Sequence, residues 1–395
     1  MQQKRVVQLS SPHLDETDFQ MVREALESRR LASGPFAERF EREMAERYGA
    51  RFAVATASGT AALHMSVIAS GVKDGDLVIT SPFSFVASAN VILYERGVPL
   101  FVDIDPTTLS IDTAKVIETI DAVVHRRAGW QSLLPRRLGD ASPALRAVIP
   151  VHIFGRPVEM KGIVEACRAV GIAVVEDACE ALGASVDGRS VGRWGDAGTF
   201  AFFPNKQITA GEGGMILTDR SDWADLFRML RNQGRSSDQQ WLRHERLGFS
   251  YRMDEMSAAL GLSQFRRLDD LLRRREAIAD RYTHHLAGLA DVSPLPPPRT
   301  DMTTSWFLYA IRVAPHIDRD GLMARLQTRG VMTRPYFWPI HLQRFYLDRF
   351  GFAPGDFPHA EAAGMSMLAL PMPLTTGIAD VDYVCEVLTE ELSLS

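Results

Sequence analysis

Glu159-Met160-Lys161-Gly162-Ile163-Val164-Glu165-Ala166-Cys167-Arg168-Ala169-Val170-Gly171-Ile172-Ala173-Val174-Val175-Glu176-Asp177 is the stretch whose reading decides the fold. Glu159–Val170 reads as a helix, and Ile172–Glu176 directly behind it reads as a short β-type run that ends on acids. Working outward, the same kind of run recurs at Phe52–Thr56, Leu77–Thr80, Pro99–Asp103, Ala147–Val151, Gly198–Phe203 and Gly214–Thr218. Helical segments such as Thr60–Ser70 and Asp222–Arg231 lie between them. The runs are continuously apolar rather than alternating, as expected of strands buried on both faces. Strand–helix alternation predicts an α/β domain with a mainly parallel, seven-stranded sheet covered on both sides.

After Tyr251 the texture changes. Asp254 to His285 holds no proline and one glycine, with Met256, Leu260, Leu262, Phe265, Leu268, Leu271 and Leu272 at helical spacing, which predicts one long helix. The Pro-rich stretch Ser293–Arg299 then breaks the chain. A strand around Phe307–Val313 and helices at Asp320–Arg329 and Val381–Leu392 predict a smaller α+β domain. The expected division is 1–253 for the large domain and 254–395 for the linking helix and small domain. His125–Ser142, rich in Arg, Gly and Pro, is expected to form an exposed excursion.

The composition narrows the function classes. The chain has 395 residues, 46% of them hydrophobic, and a net charge of −5, which argues against a nucleic-acid or anionic-membrane binder. Its three cysteines form no CxxC pair, excluding a disulfide framework or zinc knuckle and fitting a reducing, cytoplasmic setting. There is no apolar leader at the N-terminus and no bilayer-length apolar run. His284-His285 falls on the long helix and reads as surface rather than metal ligand, so no metal is expected. Lysines number only five against 39 arginines, so each lysine is a place where an amine can matter in its own right.

Three segments carry chemistry. Ala57-Ser58-Gly59-Thr60-Ala61-Ala62-Leu63 follows a strand and opens a helix, which offers backbone N–H groups and the Thr60 hydroxyl to an anion; an ordinary helix cap explains it equally. It is not a P-loop, because no GK[ST] follows. Glu176-Asp177 ends an apolar strand where open α/β sheets bind ligands, although a helix cap or buried ion pair would also place an acid there. In Phe200-Ala201-Phe202-Phe203-Pro204-Asn205-Lys206-Gln207 an apolar strand runs straight into Lys206, before the tight turn Thr209-Ala210-Gly211-Glu212-Gly213-Gly214. A lysine in low-dielectric surroundings gives up its proton more readily and becomes a usable nucleophile. Anion seat, strand-end carboxylate and strand-end amine together match the needs of pyridoxal 5′-phosphate: donors for its phosphate, an acid for its ring nitrogen, an amine for its aldehyde. Phe83 and Phe85 supply candidate aromatic surfaces for the ring.

Ser58-Gly59-Thr60-Ala61-Ala62-Leu63-His64, Val102-Asp103-Ile104-Asp105, Val151-His152-Ile153-Phe154-Gly155, Glu176-Asp177-Ala178-Cys179-Glu180-Ala181-Leu182-Gly183, Pro204-Asn205-Lys206 and Tyr251-Arg252-Met253 resemble, in order, the signatures of the DegT–DnrJ–StrS nucleotide-sugar aminotransferases, of pyridoxal-phosphate fold type I. The resemblance runs from Gly34-Pro35 to Leu370-Pro371-Met372-Pro373 and is nearest in feel to the perosamine synthase branch. It implies that Lys206 forms the internal aldimine and moves the proton, that Asp177 pairs with the ring nitrogen, and that Phe85 stacks on the ring. It implies Gly59 and Thr60 as phosphate ligands and puts Glu180 near the cofactor hydroxyl. Where the family often has Ser and Asn as further phosphate ligands, this chain has Ala201 and Ser250, with Asn205 a candidate substitute. Arg252, Tyr336 and His341 are the candidate substrate residues, and Arg334 is a further arginine for a diphosphate. His152 is read either as support for Asp177 or as a satisfied core histidine.

The implied reaction moves an amino group from L-glutamate to a keto group, at C4 by preference, of a nucleotide-linked 4-keto-6-deoxy sugar. The implied assembly is a homodimer in which Gly248–Met253 reaches the neighbour's site. The alternatives are a C3-keto-sugar or keto-cyclitol acceptor, a sugar dehydratase, which would have His in place of Lys206, and a non-catalytic regulator on the same scaffold.

Overall fold

Seven strands form one sheet: β1 (Phe52–Thr56), β2 (Leu77–Thr80), β3 (Val98–Phe101), β4 (Leu145–Ile149), β5 (Ala173–Asp177), β6 (Ala197–Ala201) and β7 (Gly214–Thr218). They lie in the order β1-β7-β6-β5-β4-β2-β3. All neighbours are parallel except at β7, which opposes both β1 and β6, so six strands point one way and β7 the other. These details come from a computed structural model, which describes residues 5–138, 143–236, 243–372, 374–375 and 377–393.

Each strand residue goes to the opposite face from its neighbour, and both faces are packed. Leu77, Ile79, Val148 and Val174 join one apolar cluster, whereas Val78, Ala147, Ile149 and Val175 join another across the sheet. That double burial is why the sequence shows unbroken apolar runs. The helix Gly59–Ala69 lies within the second cluster, with residues on all its sides buried. At β3 the strand stops at Phe101 rather than Asp103, because the Asp103 carboxylate turns away to accept the N–H groups of Ile104, His359 and Ala360.

The long helix is two helices, Glu255–Arg266 and Leu268–Leu286, meeting at Arg267, whose φ/ψ of −100°/8° leave the helical region. The cause is a tether. The Arg267 guanidinium reaches Asp15 (2.6 Å) and the buried Asp18 (2.5 Å). The first helix packs on Glu16–Glu27 and Pro35–Tyr48, and the second on Ile378–Leu392, so the break redirects the chain between two partners.

A second sheet is wholly antiparallel: β8 (Val292–Pro294), β9 (Tyr309–Val313) and β10 (Met367–Leu370), with β9 in the middle. Val7 bridges Val331, so the N-terminal segment also attaches to this part. Among the described residues, no helix is long and apolar enough to cross a membrane. The excursion expected at His125–Ser142 is described through residue 138; 139–142 lie outside the described residues, as does Pro373. Up to 138 it is mostly exposed but pinned, by an ion pair from Arg136 to Asp356 (2.6 Å) and by the Arg137 N–H on the Phe350 carbonyl (3.0 Å).

Candidate active site

Open α/β sheets place their ligands beyond the carboxyl ends of the strands. Here those ends, together with the start of the reversed strand β7, enclose a cavity of about 640 Å³. Asp177 closes β5. Its main chain is fixed on both sides, its N–H donating to Pro150 O (2.9 Å) and its carbonyl accepting from the His152 N–H (3.0 Å). Its carboxylate accepts from the Ser88 hydroxyl (2.7 Å) and from the Cys179 N–H (3.1 Å). It is 5% exposed and makes no ion pair with a described residue, which leaves a buried carboxylate with acceptor capacity to spare.

Lys206 enters from the turn after β6. Its Nζ lies 4.1 Å above the centre of the Phe307 ring and 3.6 Å from Glu180 Oε1. The second Glu180 oxygen accepts from the Phe154 N–H (2.9 Å), and the Glu180 carbonyl accepts from Gln207 Nε2 (2.6 Å). Burial outweighs the attraction of Lys206 and raises the Glu180 carboxyl above its ordinary range. Burial also pushes the neighbouring Cys179 thiol up, keeping it protonated.

The turn after β1 has the geometry of a seat. Ser58 is the helix cap, its Oγ accepting from the Ala61 N–H (3.1 Å), while Gly59 and Thr60 line the cavity at the helix start. Gly59 is there because of a close approach: a Cβ on it would sit 2.5 Å from the Ala201 Cβ. Small residues at 59 and 201 thus let the helix start and the end of β6 meet. Phe85 lines the cavity with 59% of its surface exposed, whereas Phe83 is buried against Phe154 and Phe337.

Of the residues singled out from the sequence, the cavity gathers Gly59, Thr60, Phe85, Asp177, Glu180, Ala201, Asn205, Lys206, Tyr336 and Arg334. Others are not brought to it. His341 is fully buried and gives its Nε2 to Glu361 (3.0 Å), with Nδ1 unpartnered. That makes it a neutral pin between its own turn and the helix Pro358–Ser366, and burial lowers it below the ordinary histidine range. Within one chain, Ser250 and Arg252 also lie off the cavity: Arg252 donates to Ser250 Oγ (3.0 Å) and Asn232 Oδ1 (3.0 Å), and it lines a separate cavity of about 410 Å³. His152 is a satisfied core residue, with Nε2 on Glu176 (3.1 Å) and Nδ1 accepting from the Val158 N–H (3.0 Å). Ser88 and Phe307 escaped the sequence reading. Ser88 stands just beyond the aromatic stretch that drew attention, and nothing near Phe307 in the chain marks it.

This sheet, with Asp177 and Lys206 lining one cavity at its edge, is that of a pyridoxal-phosphate enzyme of fold type I. The chain belongs to the DegT/DnrJ/EryC1/StrS aminotransferase family, whose model matches residues 12–389. It is 34% identical to the GDP-perosamine synthase of Caulobacter vibrioides over 389 residues, covering 98% of each chain. It is 35% identical to the spore coat polysaccharide biosynthesis protein SpsC of Bacillus subtilis over 393 residues, covering 95% of each. Among solved structures, the aminotransferase TlmJ from Streptoalloteichus hindustanus superposes with a TM-score of 0.86 at 30% identity, covering 98% of this chain and 99% of that one. The chain is therefore an aminotransferase that uses pyridoxal 5′-phosphate. Its own residues fit that group. Asp177 has capacity for one more N–H, Asn205 Oδ1 lies buried in the cavity wall with no partner among the described residues and is open to a donor, and the helix start at Gly59–Thr60 lines the same cavity.

Proposed function

We propose that the protein transfers an amino group from L-glutamate to the C4 keto group of a nucleotide-linked 4-keto-6-deoxy sugar. The observation that carries the chemistry is the placement of Lys206 Nζ 3.6 Å from Glu180 in the cavity that also holds the unpaired Asp177. The similarity to the GDP-perosamine synthase of C. vibrioides supports the choice of acceptor. When bound, pyridoxal 5′-phosphate supplies an aldehyde for an amine and an electron sink for the bond that must ionise. The protein supplies the rest. Asp177 holds a proton on the ring nitrogen, with Ser88 and the Cys179 N–H orienting its oxygens. Phe85 would offer a flat face to the ring and the Gly59–Thr60 helix start would take the phosphate, with the Asn205 side-chain amide as a further polar group in the same wall. Lys206 Nζ takes the proton from the carbon that bears nitrogen and returns it on the other side of the transfer. Glu180 would face the ring hydroxyl, and Tyr336 and Arg334, which line the same cavity, would meet the sugar nucleotide.

The working unit in this reading is a homodimer, with Ser250 and Arg252 of one subunit serving the other's site. Neither residue lines the cavity of its own chain, as a contribution to a neighbour's site requires.

The test supplies purified protein with L-glutamate and a panel of keto-sugar nucleotides, following the visible band and identifying products by mass and NMR. A C4-amino sugar together with 2-oxoglutarate is expected. Lys206→Ala is expected to lower turnover by roughly 10⁴-fold while leaving the unfolding midpoint nearly unchanged. Loss of a hydroxyl from the sugar without amination would instead identify a dehydratase, and a colourless protein indifferent to L-glutamate would identify a binder.

A further inference from the structure

Arg275 sits on the helix Leu268–Leu286, 3% exposed, and among the described residues no carboxylate answers it: its partners are three main-chain carbonyls. Nη1 donates to the carbonyls of Trp306 (3.0 Å) and Phe307 (3.1 Å), and Nη2 to that of Lys206 (2.7 Å). Its Nε has no partner among the described residues. Burying a guanidinium without a counter-charge is expensive, and here burial pulls it down to about 10. An apolar side chain at this helix position would avoid that cost, so the carbonyls it joins are the informative part. One belongs to Lys206. Another belongs to Phe307, whose ring lies 4.1 Å beneath the Lys206 amine. The root of the lysine and the surface under its tip therefore converge on one planar fork, and they come from segments a hundred residues apart in the chain.

We propose that Arg275 is a positioning residue for Lys206, locking the lysine turn to the Trp306–Phe307 segment so that the amine stays over the ring and within reach of Glu180. The proposal rests on the reading of Lys206 as the amine that takes pyridoxal 5′-phosphate. A lysine at 275 keeps the charge but lacks the rigid fork that serves three acceptors at once, whereas a methionine keeps bulk and loses both.

The experiment compares full-length wild type, Arg275→Lys and Arg275→Met. It measures the rate at which apoprotein takes up pyridoxal 5′-phosphate, the pH midpoint of the visible band, the residue tagged after borohydride, and kcat and KM separately. Both variants are expected to take up the cofactor about tenfold more slowly and to lose kcat with KM little changed. Both variants are also expected to shift the pH midpoint of the visible band, because the amine is no longer held in its place over the Phe307 ring. Variants that take up and titrate like wild type, whatever their melting temperature, make Arg275 structural only and overturn the proposal. If Arg275→Met does not fold, uptake and kcat in Arg275→Lys decide on the same terms. A wild type that shows no tag on Lys206 sinks the reading of the site and this proposal with it, whereas a tagged wild type with indifferent variants sinks the proposal alone.

Discussion

Glu180 is the residue where burial and charge oppose each other most directly. Lys206 and the Phe154 N–H favour its ionised form, but loss of water wins and its carboxyl is raised. A carboxyl raised on folding means that the folded chain holds the proton more tightly than the unfolded one. Stability therefore falls as pH rises from the unfolded carboxylate range through the folded value, and the penalty is fully present above it. Glu180→Gln keeps an oxygen for Phe154 and removes the charge. The variant is expected to melt higher than wild type at pH 7.5, with the advantage shrinking as pH approaches 4. Calorimetry across that range checks it, and a difference independent of pH would count against the assignment. At this scale, the meeting of Asp177 and Lys206 in one cavity was legible because Asp177 ends β5 and Lys206 follows the end of the neighbouring β6 within one turn. His341 was not, because it follows a turn whose path depends on a distant contact, the Glu361 carboxylate.

Among the elements, the join between Pro35–Tyr48 and Glu255–Arg266 shows how a terminus is satisfied from outside. The first of these helices begins with Gly34 and Pro35 and has no side-chain cap of its own. Glu255, fully buried, reaches across instead and accepts from the N–H groups of Gly34 (2.9 Å), Phe36 (2.8 Å) and Ala37 (3.3 Å). Gly34 leaves room for it, since a Cβ there would lie 2.6 Å from Glu255 Oε2. Glu255→Ala strands three donors, so it is expected to destabilise the fold by about 2–4 kcal/mol in urea unfolding, with the midpoint shifted and the remaining folded protein still active. Most strands of the large sheet could be read to within a residue or two because double burial writes itself as uninterrupted apolar runs. The break at Arg267 could not, since apolar spacing continues through it and only the tether to Asp15 and Asp18 reveals it. β10 was equally silent, because its four residues carry no turn signal that separates them from the preceding helix.

For the whole molecule, the second cavity beside Arg252 becomes a question of how two chains share work. If each site needs Lys206 from one subunit and Arg252 from the other, then Lys206→Ala and Arg252→Ala proteins, each inactive alone, are expected to recover turnover when unfolded and refolded together. Recovery in the mixture, against none for either protein refolded by itself, is the measurement. A mixture that stays silent confines every site to a single chain.

The lone reversed strand has a consequence for how this enzyme can vary. Between Lys206 and Gly214 the chain leaves the reactive rim and returns to it, and both ends of that short hairpin are moored: Ala201 pairs with Gly214, and a Cβ on Gly214 would crowd the Ser58 carbonyl at 2.5 Å. A residue added at either moored end shifts the amine or the phosphate seat, whereas the exposed tip at Gly211 and Glu212 is open. Any growth of this bend is therefore confined to its tip.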